Sequence, residues 1–245
     1  MSRLDWIGVG MFFIYFITGA GSIALISWLV KIPREIMRKA YHLMACGSVF
    51  VLLAYFEHWH GALAAIGLFS LVVLAVVPLG MVLPVRRISI QRGGTVGEIL
   101  YQAGLFALGL AVLISLIWGL VGEEYKIHIA VGITALGLGD ASAALIGKYF
   151  GKTKLRLKLF DRRKTIEGSL AMTGFAFIGI FVLLLLFTDI HIGLTLATAL
   201  VLACLSAFLE AVAVHGLDTI LIPLIIAFSS LGLFLLNLHV VQLWL

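Results

Sequence analysis

Apolar residues along this chain gather in long runs separated by short polar segments. Eight runs stand out: Trp6–Leu29, Ala40–Phe56, Gly61–Leu83, Ile99–Val121, Ile127–Gly147, Ile166–Phe187, Ile192–Val214 and Ile220–Val241. A run of about 20 apolar residues, wound as a helix, is long enough to cross the hydrocarbon core of a bilayer. The pattern therefore predicts an all-α fold, a polytopic integral membrane protein of about eight transmembrane helices. One transmembrane domain over residues 1–245 is expected, with no soluble domain, linker or internal repeat. The second run is short, and the fifth carries a polar end.

The placement of positive charge turns this pattern into a topology. Lys31, Arg34, Arg38 and Lys39 fill the first loop, and Arg86, Arg87 and Arg92 the third. The fifth loop holds Lys148, Lys152, Lys154, Arg156, Lys158, Arg162, Arg163 and Lys164. Fifteen of the seventeen Lys and Arg residues thus fall on alternate loops, leaving Arg3 and Lys126 opposite. Positive residues are retained in the cytoplasm during insertion, so the odd-numbered loops are expected inside and both termini outside. The first run, which begins near Arg3 and Asp5 and continues through Trp28, reads as a membrane helix rather than a cleaved leader.

Composition agrees. Sixty-two per cent of the chain is hydrophobic and 12% charged, too little polar surface to cover a soluble core of this length. Cys46 and Cys204 lie inside apolar runs without CxxC spacing, so neither a disulfide framework nor a zinc site is expected. Both read as small buried hydrophobes. His58, His60, His128, His191 and His239 lie in or beside the outer segments, and no chemistry is assigned to them.

Five groups of residues remain that topology alone does not explain. In Gly139-Asp140-Ala141-Ser142, followed by Gly147-Lys148 and Gly151-Lys152, the aspartate and the two later glycines share a helical stripe. The glycines alone suit close helix packing. An intramembrane carboxylate such as Asp140 is expensive and marks a functional site. Lys164-Thr165-Ile166-Glu167-Gly168 stands at a helix start, where a lysine, a hydroxyl and free backbone N–H groups suit phosphate oxygens. Glu167 is a candidate to hold a metal bound to those phosphates. Glu210 and Asp218 flank a tight inner turn and suit Mg²⁺, which takes one or two carboxylates plus phosphate oxygens and water. Capping of the last helix is the structural alternative for Asp218. The remaining groups are Arg38-Lys39-Ala40-Tyr41-His42, expected as a short interfacial helix running into the second span, and the glycine-rich loop Arg92–Glu98. Collected at one membrane face, these groups form an inventory for a Mg²⁺-nucleotide acting on a lipid-dissolved acceptor. The chain has no GxxxxGK[ST] motif, so a P-loop is excluded.

At these residues the chain resembles the dolichol kinase / phytol kinase family of CTP-dependent lipid kinases. The matching elements are Arg38–His42, Gly139–Ala143, Gly147-Lys148 with Gly151-Lys152, Lys164–Ser169, and Glu210 with Asp218 and Pro223. The Lys-Thr-x-Glu-Gly element after Gly-Asp-Ala is the specific part. Thr219 departs from the asparagine expected after the aspartate.

The resemblance implies a single kinase-like domain with CTP as phosphoryl donor, Mg²⁺ as cofactor and a prenol-type lipid alcohol as acceptor. It also implies that Lys148, Lys152, Lys164, Thr165 and Gly168 meet the nucleotide phosphates. Asp140, Glu167, Glu210 and Asp218 become metal candidates. His42 or Asp140 takes the hydroxyl proton, and Arg38 and Arg92 stabilise transferred charge. The expected partners are CTP, the prenol and membrane lipids, without nucleic acid. The expected location is the cell membrane of a prokaryote or the endoplasmic reticulum of a eukaryote, with the site facing the cytoplasm. A CTP-dependent cytidylyltransferase forming a CDP-lipid is the alternative chemistry. A secondary transporter is disfavoured, because its charges should sit at the midplane within repeated halves.

Overall fold

The computed structural model describes residues 1–82, 96–155, 164–213 and 216–244. Among these residues the protein is helical, apart from turns and one isolated antiparallel bridge between Lys154 and Thr165. Eight of the described helical segments are long and apolar enough to cross a membrane. Many of their large apolar side chains face outward, Leu25, Trp28, Leu186 and Leu200 among them. Such a surface would be costly in water and is what a lipid-facing helix requires. The chain divides into two compact units, Met1–Leu120 and Val121–Leu245.

The first unit contains α1 (Arg3–Leu29), α2 (Arg34–Tyr55), α3 (Trp59–Val82) and α4 (Val96–Leu113), the last continuing as a π-helical stretch, Ile114–Val121. Helix α1 packs on α2 and α3, and α3 packs on α4. Phe12, Phe16 and Phe69 form the aromatic contact between α1 and α3, with Phe16 stacked on Phe69 at 4.0 Å between ring centroids. A capping box starts α1: Asp5 N–H donates to Ser2 Oγ at 3.1 Å, and Ser2 N–H donates to Asp5 Oδ2 at 2.8 Å. Asp5, 0% exposed, also accepts the Glu57 and His58 N–H groups at 3.2 and 3.3 Å. One carboxylate therefore ties the start of α1 to the turn between α2 and α3. The short interfacial helix expected before the second span is not separate. It is the first part of α2, which runs unbroken from Arg34.

The second unit begins with a 3₁₀ turn, Glu123–Tyr125. The fifth span follows in three pieces: α5 (Ile127–Thr134), a π-helical stretch (Ala135–Asp140) and α6 (Ala141–Tyr149). Then come α7 (Ile166–Phe187), α8 (Ile192–Val212) and α9 (Asp218–Trp244). This span, polar-ended in sequence, is the buried centre of its unit. Ile129, Val131, Ile133 and Leu136 are fully buried, and α7 and α9 pack on the span. His128, beside the turn that precedes α5, is buried, and its Nδ1 lies 2.8 Å from Ser230 Oγ of α9. A polar bond between two apolar helices fixes their alignment where packing alone is permissive. Cys46 is buried as expected, whereas Cys204 lies on an exposed face of α8.

Candidate functional site

Four charged groups from four segments converge in the second unit. Lys164 stands just before α7. Its Nζ donates to Oε1 of Glu210, which lies in the last turn of α8. The Glu210 side chain is 4% exposed and that of Lys164 24%. Asp218, the first residue of α9, and Asp140, the last residue of the π-helical stretch, both act coulombically on this pair. Burial works against the charge on Lys164, but Glu210 above all, then Asp218 and Asp140, outweigh it. They hold the lysine above its ordinary pKa, so the amine stays protonated.

Local structure explains how each group reaches the cluster. Gly137 and Gly139 weaken the α-helical register ahead of Asp140. The extra residue per turn of the π stretch re-aims whatever follows it. Ser142 locks the next turn by donating to Gly139 O at 2.7 Å and to Ala171 O of α7 at 3.2 Å. In the turn before α9, Gly216 adopts φ +80°. Leu221, Ile220 and Thr219 donate back to Leu217 and Gly216, closing the turn and bringing Asp218 near the end of α8. Asp218 accepts the Thr219 N–H at 3.0 Å within the first turn of α9. Ser206, one turn before Glu210, bonds to Ala203 O of its own helix.

The glycine stripe serves the close packing that its small residues suit. Thr165, the N-cap of α7, sits in it. A Cβ on Gly151 would lie 2.7–2.8 Å from the Thr165 side chain, and one on Gly147 would lie 3.0 Å from Thr165 Oγ1. A Cβ on Gly168 would lie 3.0 Å from Ala143 O. The three glycines therefore allow α6 and the start of α7 to touch backbone to backbone. The Thr165 hydroxyl accepts the Gly168 N–H at 3.1 Å, an ordinary N-cap bond.

Glu167 faces elsewhere. Both its oxygens accept the Thr153 N–H, at 3.1 and 3.2 Å. Around this contact, Leu155 N–H donates to Lys164 O at 3.1 Å and Ile166 N–H to Thr153 O at 2.9 Å. The segment after α6 is thereby folded back against the start of α7. Lys148, Lys152 and Lys154 are all exposed around it.

The remaining candidates belong to the first unit or lie outside the described residues. Arg38, its side chain 51% exposed, pairs with Glu35. His42 is half-buried, with Nε2 3.8 Å from Cys46 Sγ. The buried cation of this helix is Lys39, 2% exposed, which sequence reasoning passed over in favour of Arg38. Lys39 precedes buried Cys46 by seven residues, and that spacing was the available signal. Arg92 lies outside the described residues.

Among the described residues, no three His, Cys, Asp or Glu side chains are placed to hold a metal ion by themselves. The donor chemistry nevertheless suits a hard divalent cation. Three carboxylates surround one lysine, an excess of negative charge made of oxygen donors. Mg²⁺ characteristically completes its shell with phosphate oxygens and water rather than with an all-protein cage.

Eight apolar helices, four of them in a second unit that brings carboxylates and a lysine together, define an integral membrane protein with a charged cluster within that unit. The chain is 31% identical over 222 residues to phytol kinase of Synechocystis sp., covering 89% of this chain and 88% of that one. It is also 31% identical over 119 residues to dolichol kinase sec59 of Schizosaccharomyces pombe, 48% of this chain and 22% of that protein. No family profile and no solved structure matches it. The chain belongs to the dolichol kinase / phytol kinase family, a family of lipid alcohol kinases.

Proposed function

We propose that this protein transfers the γ-phosphoryl group of CTP to the hydroxyl of a prenol-type lipid alcohol, with Mg²⁺, at the cytoplasmic face of its membrane. The observation that carries the reading is the Lys164–Glu210 pair with Asp140 and Asp218 beside it. Phosphoryl transfer asks mainly for positioning and neutralisation of charge. Lys164 supplies a permanent cation next to acids suited to a divalent ion.

One or two of Asp140, Glu210 and Asp218 would hold Mg²⁺ together with the nucleotide. The bound ion would neutralise charge on the β- and γ-phosphates. Lys164 then leaves Glu210 for a phosphate oxygen, and the exposed Lys148 and Lys152 add positive charge at the surface. Thr165 and Gly168 fix the start of α7, whose remaining first-turn N–H groups favour an anion. The lipid oxygen attacks the γ-phosphorus, the bond from that phosphorus to the bridging β–γ oxygen breaks, and CDP departs. Within the second unit, the hydroxyl proton would pass to Asp140, the carboxylate at the end of the π-helical stretch. The cytoplasmic placement rests on the positive loops, the fifth of which carries Lys148, Lys152 and Lys164.

Purified protein in detergent or nanodiscs, given Mg²⁺, γ-labelled CTP and a panel of prenols from farnesol to long polyprenols, should yield a labelled lipid monophosphate and CDP. Release of pyrophosphate would point to cytidylyl transfer instead. Folded protein that labels neither a prenol nor diacylglycerol would overturn the reading.

A further inference from the structure

We propose that Glu167 is a positioning residue that clasps the Lys152–Leu155 segment to the start of α7, and is not a metal ligand. The inference rests on the proposed reading that this face of the protein receives the CTP phosphates.

A carboxylate at the second position of a helix usually serves the helix itself, near the positive end of its dipole. Glu167 does that and more. Its two oxygens both accept the Thr153 N–H, fourteen residues earlier in sequence. Two further bonds flank it, Ile166 N–H to Thr153 O and Leu155 N–H to Lys164 O, and together they make the bridge pairing Lys154 with Thr165. In each, the two strands of chain meet through backbone, so the register is fixed whatever the side chains are. Glu167 is a side chain that fastens this register from outside. Thr165 fastens it from inside, seated against Gly147, Gly151 and Gly168.

The consequence concerns cations. Lys152 and Lys154 flank Thr153 and are exposed. Lysine side chains on an unanchored segment sample many positions, and each must be ordered when a phosphate binds. Anchoring the backbone between them limits that cost. Glu167 therefore acts on the nucleotide through Lys152 and Lys154, while the cation-holding acids Asp140, Glu210 and Asp218 gather around Lys164.

The two roles diverge in what glutamine can replace. An amide oxygen still accepts a backbone N–H, whereas it is a poor substitute for a carboxylate on Mg²⁺. The test compares Glu167→Gln with Glu167→Ala in the full chain. Steady-state kinetics are read against CTP and against Mg²⁺, and hydrogen exchange is read at the Thr153 amide. The expected result has three parts. Glu167→Gln keeps kcat and the KM for CTP within about threefold of wild type. Glu167→Ala raises the KM for CTP about five- to tenfold with kcat and the Mg²⁺ midpoint at saturating CTP unchanged. The Thr153 amide exchanges faster in the alanine variant but not in the glutamine variant. Loss of turnover in Glu167→Gln, or a shifted Mg²⁺ midpoint in either variant, overturns the clasp. Unchanged exchange at Thr153 in Glu167→Ala overturns it too. If the alanine variant does not fold, the glutamine arm decides. If wild-type protein uses CTP on no acceptor, the reading of the site fails and the clasp's role with it. CTP turnover in wild type with an inactive Glu167→Gln refutes the clasp alone.

Discussion

Replacing Glu210 with alanine would leave Lys164 charged and largely buried without the carboxylate to which it is bonded. Breaking a buried ion pair from one side costs about 3–5 kcal/mol, because the surviving charge is stranded. Here the cost is smaller. Lys164 keeps a quarter of its side-chain surface exposed, and Asp218 and Asp140 still act on it. About 2–3 kcal/mol is the expected loss, against roughly 0–1 kcal/mol for a surface pair. For a chain of this size that corresponds to a fall in Tm of roughly 5–10 °C. The assay is thermal unfolding in detergent, followed by a thiol-reactive or intrinsic-fluorescence signal, for Glu210→Ala, Lys164→Met and the double variant. Removing both charges together relieves the stranded lysine, so the double variant should regain at least half of the Glu210→Ala loss. A Tm for Glu210→Ala within about 1 °C of wild type would refute the claim that the pair is buried and structural. Strict additivity of the two single variants would refute the direct coupling.

Three further outcomes follow from the packing and the site. Asp140→Asn should abolish phosphoryl transfer while the protein stays folded, checked by labelled-CTP turnover beside a melting curve; wild-type turnover would remove Asp140 from the chemistry. Gly151→Ala should destabilise by about 1–3 kcal/mol, since the new Cβ would press first on the Gly147 carbonyl oxygen and then on the Thr165 side chain. Gly104→Ala, where the Cβ has open space, should unfold no earlier than wild type in the same thermal assay. Asp5→Ala should cost roughly 2–3 kcal/mol, from a lost helix cap and buried donors left without an acceptor, read as an earlier unfolding transition; an unchanged transition would mean that the α1 start is not held through this carboxylate.

The eight apolar runs were legible because bilayer thickness imposes a length that no other common pattern produces. Their boundaries agree with the helices to within a few residues, except where α2 begins at Arg34. The acid–lysine cluster was legible in part. Asp140, Glu210 and Asp218 are singled out by the cost of placing a carboxylate near apolar chain, and all three act on Lys164. Spacing could not reveal that Lys164 bonds Glu210 rather than waiting free for phosphate, since that contact joins segments 46 residues apart. Nor could it show that the glycine stripe is filled by Thr165, because a stripe of small residues looks the same whether backbone or ligand approaches it. His128 hid its role for a related reason. Its neighbours in sequence are an outer turn, but its partner is Ser230. The bridge between Lys154 and Thr165, and with it the bond from Glu167 to Thr153, depends on a chain reversal that no local pattern announces.

The π-helical stretch from Ala135 to Asp140 carries a consequence for the fifth span as a whole. Each residue of an α-helix turns the chain by about 100°, so the wider turn acts as a phase offset between two halves of a single span. Upstream of it, α5 is keyed to α9 by His128 and Ser230. Downstream, α6 is keyed to α7 by Ser142 and the glycines around Thr165. Were one residue deleted within the stretch, an unbroken α-helix would be restored, but the two keys would no longer fit at once. The span behaves as a coupling between shafts set at a fixed angle, with Asp140 at the joint.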